Sequence, residues 1–152
     1  MQLLVPAVKL IYMSNIVDVI GENNTLMTMA QAVKSAGLDE ELKHKGPYTL
    51  LAPSEIAFGK LPGGELAELL KPKNRIKLTS IINSYIIVGK RNIKDLKSGQ
   101  LLKTRGGQNL DVKVRKGQVI INGAAVQEQD MEASNGVVHA VDKVVMPPGR
   151  FQ

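Results

Sequence analysis

The order of hydrophobic periodicities predicts an α+β domain with a mainly antiparallel sheet. In the first half, apolar residues recur at helical spacing: Leu26, Met29, Ala30 and Val33, then Leu78, Ile81, Ile82 and Tyr85. After Asp95-Leu96 the period changes to two, and Leu110, Val112 and Val114 alternate with Asp111, Lys113 and Arg115. Turn pairs punctuate this second part, at Lys116-Gly117 and Asn122-Gly123. Helices first and strands last is an α+β order, not an alternating βαβ order.

Each element has its own signals. Asn15 to Ile20 opens an amphipathic piece with Ile16, Val17 and Ile20 apolar. Asn24 or Thr25 is suited to cap the helix that follows, and Gly37 to close it in a left-handed conformation. Leu38 to Gly46 reads as a short helical turn with Leu38 and Leu42 inward and His44 exposed between two lysines. Met27 and Met29 read as core filler. Tyr48 to Leu51 is a short apolar strand that Pro53 stops. Ser54 is placed to cap a new helix, with Glu55 in its first turn and Ile56 or Ala57 and Phe58 inward. A further short helix ends before Pro72. "IIVGK" becomes extended, Val119 to Ile121 returns from the Lys116-Gly117 turn, and Ala125-Val126 continues.

Composition bounds the function. The chain has 152 residues, one domain's worth, and 43% of them are hydrophobic. It has no cysteine, so disulfides, thiolate metal sites and a cysteine nucleophile are excluded. Two histidines leave little for a transition-metal site, and no metal or cofactor is expected. Phosphate-cradle, zinc-protease and serine-hydrolase motifs are missing. No segment is long enough to span a membrane, and the apolar start, "MQLLVPAVKLIYMS", lacks the layout of a signal peptide. The net charge of +6 is unevenly spread: eleven Lys/Arg face three Asp/Glu between Lys60 and Arg105, a local excess of +8. Such a section reads first as a solvated, soluble surface and second as a contact for polyanions, an acidic polysaccharide among them. Its one aromatic, Tyr85, argues against nucleic acid, whose single-strand readers stack bases on aromatic rings.

"SNGVVHAVDKVVMP", residues 134–147, holds one of the two histidines, and His139 and Asp142 pose the question of an acid/base pair. Five valines between Val137 and Val145 favour a strand. On a strand, His139 shares one face with Val137, Val141 and Val145, and Asp142 lies on the other. The two side chains then point apart. His139 is expected to be a part-buried, hydrogen-bonded scaffold residue, and Asp142 a carboxylate bonded to backbone. An enzyme built on His139, Asp142 or Glu55 finds no convergent pair.

Two stretches resemble the signatures of the fasciclin domain family. "TLLAPSEIAFGKLP" (Thr49 to Pro62) is similar to the first, with Pro53, Ala57 and Phe58 in place and Ser54 where the family often has Thr. "INGAAVQEQDMEASNGVVHAVDKVVMP" (Ile121 to Pro147) is similar to the second, carrying Asn135, Gly136, His139 and Asp142. The resemblance covers about residues 15–147. It implies a β-wedge of two mainly antiparallel sheets with short helices packed around it. An N-terminal arm, 1–14, would precede the domain and a tail, 148–152, follow it. Between the signatures the family usually carries Tyr-His; here Ser84 and Tyr85 stand in those places, so the integrin contact linked to that region in animal members is not carried over.

The resemblance also implies a non-catalytic module of adhesion, matrix or cell-wall proteins, located extracellularly, at the cell surface or in the periplasm. A protein or glycan is the expected partner and a monomer the expected state. The alternative is an acidic polysaccharide held by Lys71, Lys73, Arg75, Lys77, Lys90, Arg91, Lys94 and Lys97.

Overall fold

A computed structural model describes residues 14–144. The expected N-terminal arm, apart from Ser14, the C-terminal tail and Val145 lie outside the described residues.

The first helix, α1 (Ile16–Gly21), is capped by Asn15, whose side chain accepts from Asp18 N–H at 3.0 Å. Ile16 and Ile20 are fully buried. The second helix, α2 (Met27–Ser35), follows a 3₁₀ turn at Asn24–Leu26. The cap is Asn23, not Asn24 or Thr25: its Oδ1 accepts from Thr25 N–H at 2.9 Å and begins the 3₁₀ turn. The start of α2 is served from outside by Glu55, which accepts from Thr28 N–H and from the Thr28 hydroxyl, each at 2.8 Å. A carboxylate there satisfies an orphan donor and complements the positive end of the helix. Met29 packs in the core as expected, but Met27 is 57% exposed, since it lies off the helix face that buries Met29 and Val33.

Next come α3 (Asp39–His44), with Leu42 buried, then β1 (Tyr48–Pro53) and α4 (Glu55–Gly59). Ser54 caps α4, accepting from Ala57 N–H at 3.3 Å. Ala57 faces inward, Phe58 packs against the core, and Ile56 is 62% exposed. The helices α5 (Glu65–Leu69) and α6 (Arg75–Asn83) precede β2 (Ile86–Val88). Leu78, Ile81, Ile82 and Tyr85 are all buried, as their spacing predicts.

The remaining strands are β3 (Leu101–Lys103), β4 (Asn109–Arg115), β5 (Gln118–Ile121), β6 (Ala124–Ala133) and β7 (Gly136–Val141). Strand β3 has only three residues and no clear alternation, which hides it from a sequence reading. Strand β6 runs well past Val126, with register shifts against β7 after Val126 and after Glu128 that break its period. Both turn pairs form as expected, with Lys116, Gly117, Asn122 and Gly123 all at positive φ.

The strand order is β2-β1-β7-β6-β5-β4-β3. All neighbours are antiparallel except β1 and β7, which pair in parallel from Tyr48↔Gly136 to Pro53↔Val141. The ends of the order approach each other: Ile87 bridges Thr104, and Arg105 N–H donates to Ile86 O at 2.8 Å. The two layers of the expected wedge are thus halves of one sheet folded over on itself. Strand β7 lies between β1 and β6 and is buried on both faces, not one. By alternation Leu50, Ala52, Val138 and Ala140 share the face opposite Leu51, His139 and Val141.

The start of the β1–β7 pair tolerates no side chain at Gly136. Its φ is +155°, and a Cβ there would sit 1.9 Å from Tyr48 O. Gly136→Ala must therefore push the two central strands apart. A loss of about 3 kcal/mol or more in urea denaturation is expected, at the upper end for single substitutions. Gly59→Ala, where a Cβ meets nothing within 4 Å, should change stability by less than about 1 kcal/mol.

Candidate functional site

His139 and Asp142 do not form a pair. His139 is 0% exposed, deeper than the part-burial its strand face suggests, because β7 is covered on both sides. Its Nδ1 accepts from Asp130 N–H at 3.0 Å, and its Nε2 lies 2.8 Å from Arg91 O. An amide N–H can only donate and a carbonyl only accept, so the ring is neutral with its proton on Nε2. Asp142 instead accepts from Ala125 N–H at 2.8 Å, and its carbonyl accepts from Lys60 Nζ at 2.9 Å. The two residues share no partner. With both ring nitrogens taken by backbone and no access to solvent, His139 presents nothing to a substrate.

What His139 does is join two irregular segments. One is the β6 stretch around Asp130, a residue at φ +56° beside the register shift. The other is the loop after β2. Asp130 in turn accepts from Ile93 N–H at 2.8 Å and from Asn92 Nδ2 at 3.2 Å. Asn92 also donates to Glu132 at 2.7 Å, and Lys90 pairs with Glu132. The Lys90 ammonium bonded to Glu132 pulls its carboxyl below the usual range; burial opposes this, the Asn92 hydrogen bond assists it, and the nearby Asp130 charge opposes it weakly. Buried Thr49 holds the loop's start, donating to Gly89 O at 2.6 Å and accepting from Arg91 N–H at 2.8 Å.

The other signature residues are connectors too. Asn135 Oδ1 accepts from Ile16 N–H at 2.9 Å, and its Nδ2 donates to Leu42 O at 2.6 Å and Lys45 O at 2.7 Å. One side chain thereby ties α1 and α3 to the β6–β7 turn. Ser54 Oγ bonds Gln127 Oε1 at 2.9 Å while capping α4, and Pro53 ends β1 opposite Val141. At the displaced Tyr-His position, Ser84 and Tyr85 are both buried, and the Ser84 hydroxyl donates to Ile81 O.

The predicted cations are not one free patch. Lys71 and Lys73 both pair with Glu68, at 2.8 and 3.1 Å. The hydrogen bonds from Lys71 and then Lys73, with the attraction of the two charges, bring the Glu68 carboxyl from 4.5 to about 2. Arg75 Nε donates to Ala36 O at 3.3 Å, and its guanidinium lies over Gly37, where a Cβ would be 1.9 Å away. It closes the C-terminus of α2. Lys90 is engaged by Glu132 and Arg91 supplies the carbonyl that His139 reaches. Lys94 and Lys97 are exposed and make no ion pair among the described residues. Lys77 lies on α6.

Missed by the sequence reading were Asp130, Glu132 and Arg105, and the contact by which Glu55 serves the start of α2. Arg105 pairs with Glu41 and stands 5.4 Å over the Tyr48 ring. These contacts join residues far apart in the chain, and no local spacing announces them. The described residues contain no group of three or more His, Asp and Glu arranged to hold a metal ion.

A β-wedge with a helical layer spends its signature polar residues on holding backbone, as a scaffold does. Comparison with known proteins gives the family. The fasciclin domain profile matches residues 24–147, and the chain belongs to the fasciclin domain family. It is 41% identical over 133 residues to protein sll1483 of Synechocystis sp., covering 88% of this chain and 73% of that one. It is 36% identical over 138 residues to the transforming growth factor-beta-induced protein ig-h3 of Sus scrofa, covering 90% of this chain but 20% of that much longer protein. The fold matches a FAS1 domain pair from the insect cell adhesion molecule Fasciclin I with a TM-score of 0.69 at 20% identity, over 88% of this chain and 51% of that one.

His139→Ala should cost about 3 kcal/mol, since it opens a cavity and strands two backbone groups. Asp142→Ala should cost about 1–2 kcal/mol through one lost bond to buried backbone. Their double-mutant cycle should show a coupling no larger than about 0.5 kcal/mol in urea denaturation, as expected for residues without a common partner.

Glu68 gives a pH test. Its folded value is lowered, so its ion pairs contribute fully above the ordinary carboxylate range and are lost as pH falls from 4.5 through about 2. Carbon-detected NMR should place the Glu68 midpoint well below 4.5. It should return toward that value in Lys71→Ala/Lys73→Ala and in about 1 M salt, which screens exposed pairs.

Proposed function

We propose that this domain is a non-catalytic binding module that works outside the cell, at the surface or in the periplasm, by contacting a protein or glycan partner. One observation carries the reading. The polar residues of both family signatures are spent on holding backbone, so what varies toward a partner is the exposed surface around them. Membership of a family that includes an insect cell adhesion molecule supports it. None of the helices among the described residues is long and apolar enough to cross a membrane.

A second reading, contact with an acidic polysaccharide, is favoured by the excess of +8 between Lys60 and Arg105. Its candidate residues are Lys71, Lys73, Arg75, Lys77, Lys90, Arg91, Lys94 and Lys97. Salt separates the two readings, because contacts made by counterion release weaken steeply as salt rises.

The purified chain should bind defined members of a glycan array or a surface-protein partner with an affinity that changes less than about threefold between 50 and 500 mM salt, against the orders of magnitude expected for a polyanion contact. Steep salt dependence would transfer the function to the second reading. Turnover of an arrayed ligand that is lost in Glu55→Gln would sink the non-catalytic reading.

A further inference from the structure

The polyanion reading names cations between Lys71 and Lys97, but a further cluster of free charge lies beyond that section. Lys113, Arg115 and Lys116 lie on β4 and its turn, all exposed, and none forms an ion pair among the described residues. No Asp or Glu occurs from Val112 to Gln127. Lys113 and Arg115 are two apart and share one face of β4, where Asp111 is the one acid. By contrast Lys71 and Lys73 share the Glu68 carboxylate, which offsets one of their two charges.

The same strand borders an open groove of about 310 Å³, formed by Ser98, Gly99 and the β4 residues from Asp111 to Arg115. Its walls are tied together. Gly99 N–H donates to Val112 O at 2.8 Å, Val112 N–H to Gln100 O at 3.0 Å, and Val114 N–H to Ser98 Oγ at 3.3 Å. Lys97, exposed and unpaired, leads into the Ser98 wall. The cations thus stand on a preformed trough rather than on a flexible loop, which lowers the cost of ordering them.

Three chemistries could answer such a charge. Single-stranded nucleic acid is held largely by stacking on aromatic rings, and a protein interface is usually anchored by Tyr or Trp. No Phe, Tyr or Trp occurs between Ile86 and Arg150. An extended polymer of sulfate or carboxylate groups needs neither, and Arg and Lys pair with both groups directly. We propose that Lys113, Arg115 and Lys116, with Lys97 next in sequence to the Ser98 wall, form the binding site for an acidic polysaccharide laid along the β4 groove. The assignment rests on the polyanion reading and places it on the β4–β5 hairpin instead of on Lys71–Lys77.

The full chain would be titrated with heparin and with alginate at about 50 mM salt, where counterion release favours binding. Uncharged dextran is the blank and poly-glutamate the peptide comparison. Lys113→Gln/Arg115→Gln/Lys116→Asn removes the hairpin charge, with Asn chosen for the left-handed position of Lys116. Affinity for one or both polysaccharides should fall about tenfold or more, and Lys71→Gln/Lys73→Gln should change it less than about twofold. Arg115→Gln alone, which leaves the turn untouched, should already cost about threefold. Unchanged melting temperatures would show that the fold is kept. If the native chain binds neither polysaccharide, the polyanion reading itself falls. If the native chain binds and both hairpin variants bind equally well, only the placement falls. Equal or tighter binding of poly-glutamate would overturn the choice of a polysaccharide.

Discussion

The parallel pairing of β1 with β7 is the constraint on which the rest of the structure depends. It joins Tyr48–Pro53 to Gly136–Val141, residues that lie far apart in the sequence. Closing so long a loop costs entropy that only the contacts made afterwards can offset. The pair repays it by being buried throughout and by giving each flanking region a place to dock: β2 on one side, and β6 with the remaining hairpins on the other. Gly136 sets how closely the two strands approach, because Tyr48 O occupies the space a side chain would need.

Polar side chains then lock the irregular parts onto this pair. Asn135, just before β7, holds the start of α1 and the end of α3. His139, in its middle, holds Asp130 and Arg91. Asp142, just after it, holds Ala125. Each satisfies backbone groups that no regular ladder reaches, and leaving such groups unpaired in the interior would be costly. This gives residue types common in catalysis a structural use at these positions. Their value is directional bonding inside the core. Function is thereby displaced to the surface, where the charge distribution differs from one section of the chain to another.

That distribution changes meaning once the chain is folded. Along the sequence, Lys71 to Lys77 carry four cations in seven residues, yet Glu68 answers two of these lysines and Ala36 O answers Arg75. Lys113, Arg115 and Lys116 are fewer, but folding leaves them exposed on one hairpin whose one acid is Asp111, and none of them forms an ion pair among the described residues. Counting charge in a window measures composition; whether a cation is available depends on which carboxylates and carbonyls the fold brings to it.

The sequence by itself determined the periodic elements, the turns and the signature residues. Helical spacing placed Leu26, Met29 and Val33 and later Leu78, Ile81 and Ile82 in the core. Positive-φ turn pairs placed the two hairpins, and strand alternation kept His139 and Asp142 apart. These are local matters, fixed by backbone geometry within a few residues. Only the tertiary structure decided the depth of His139, the bulged course of β6, the outside cap that Glu55 gives α2, and the short β3. Each depends on a partner distant in the chain, and burial, bulges and ion pairs are properties of the pair rather than of either segment.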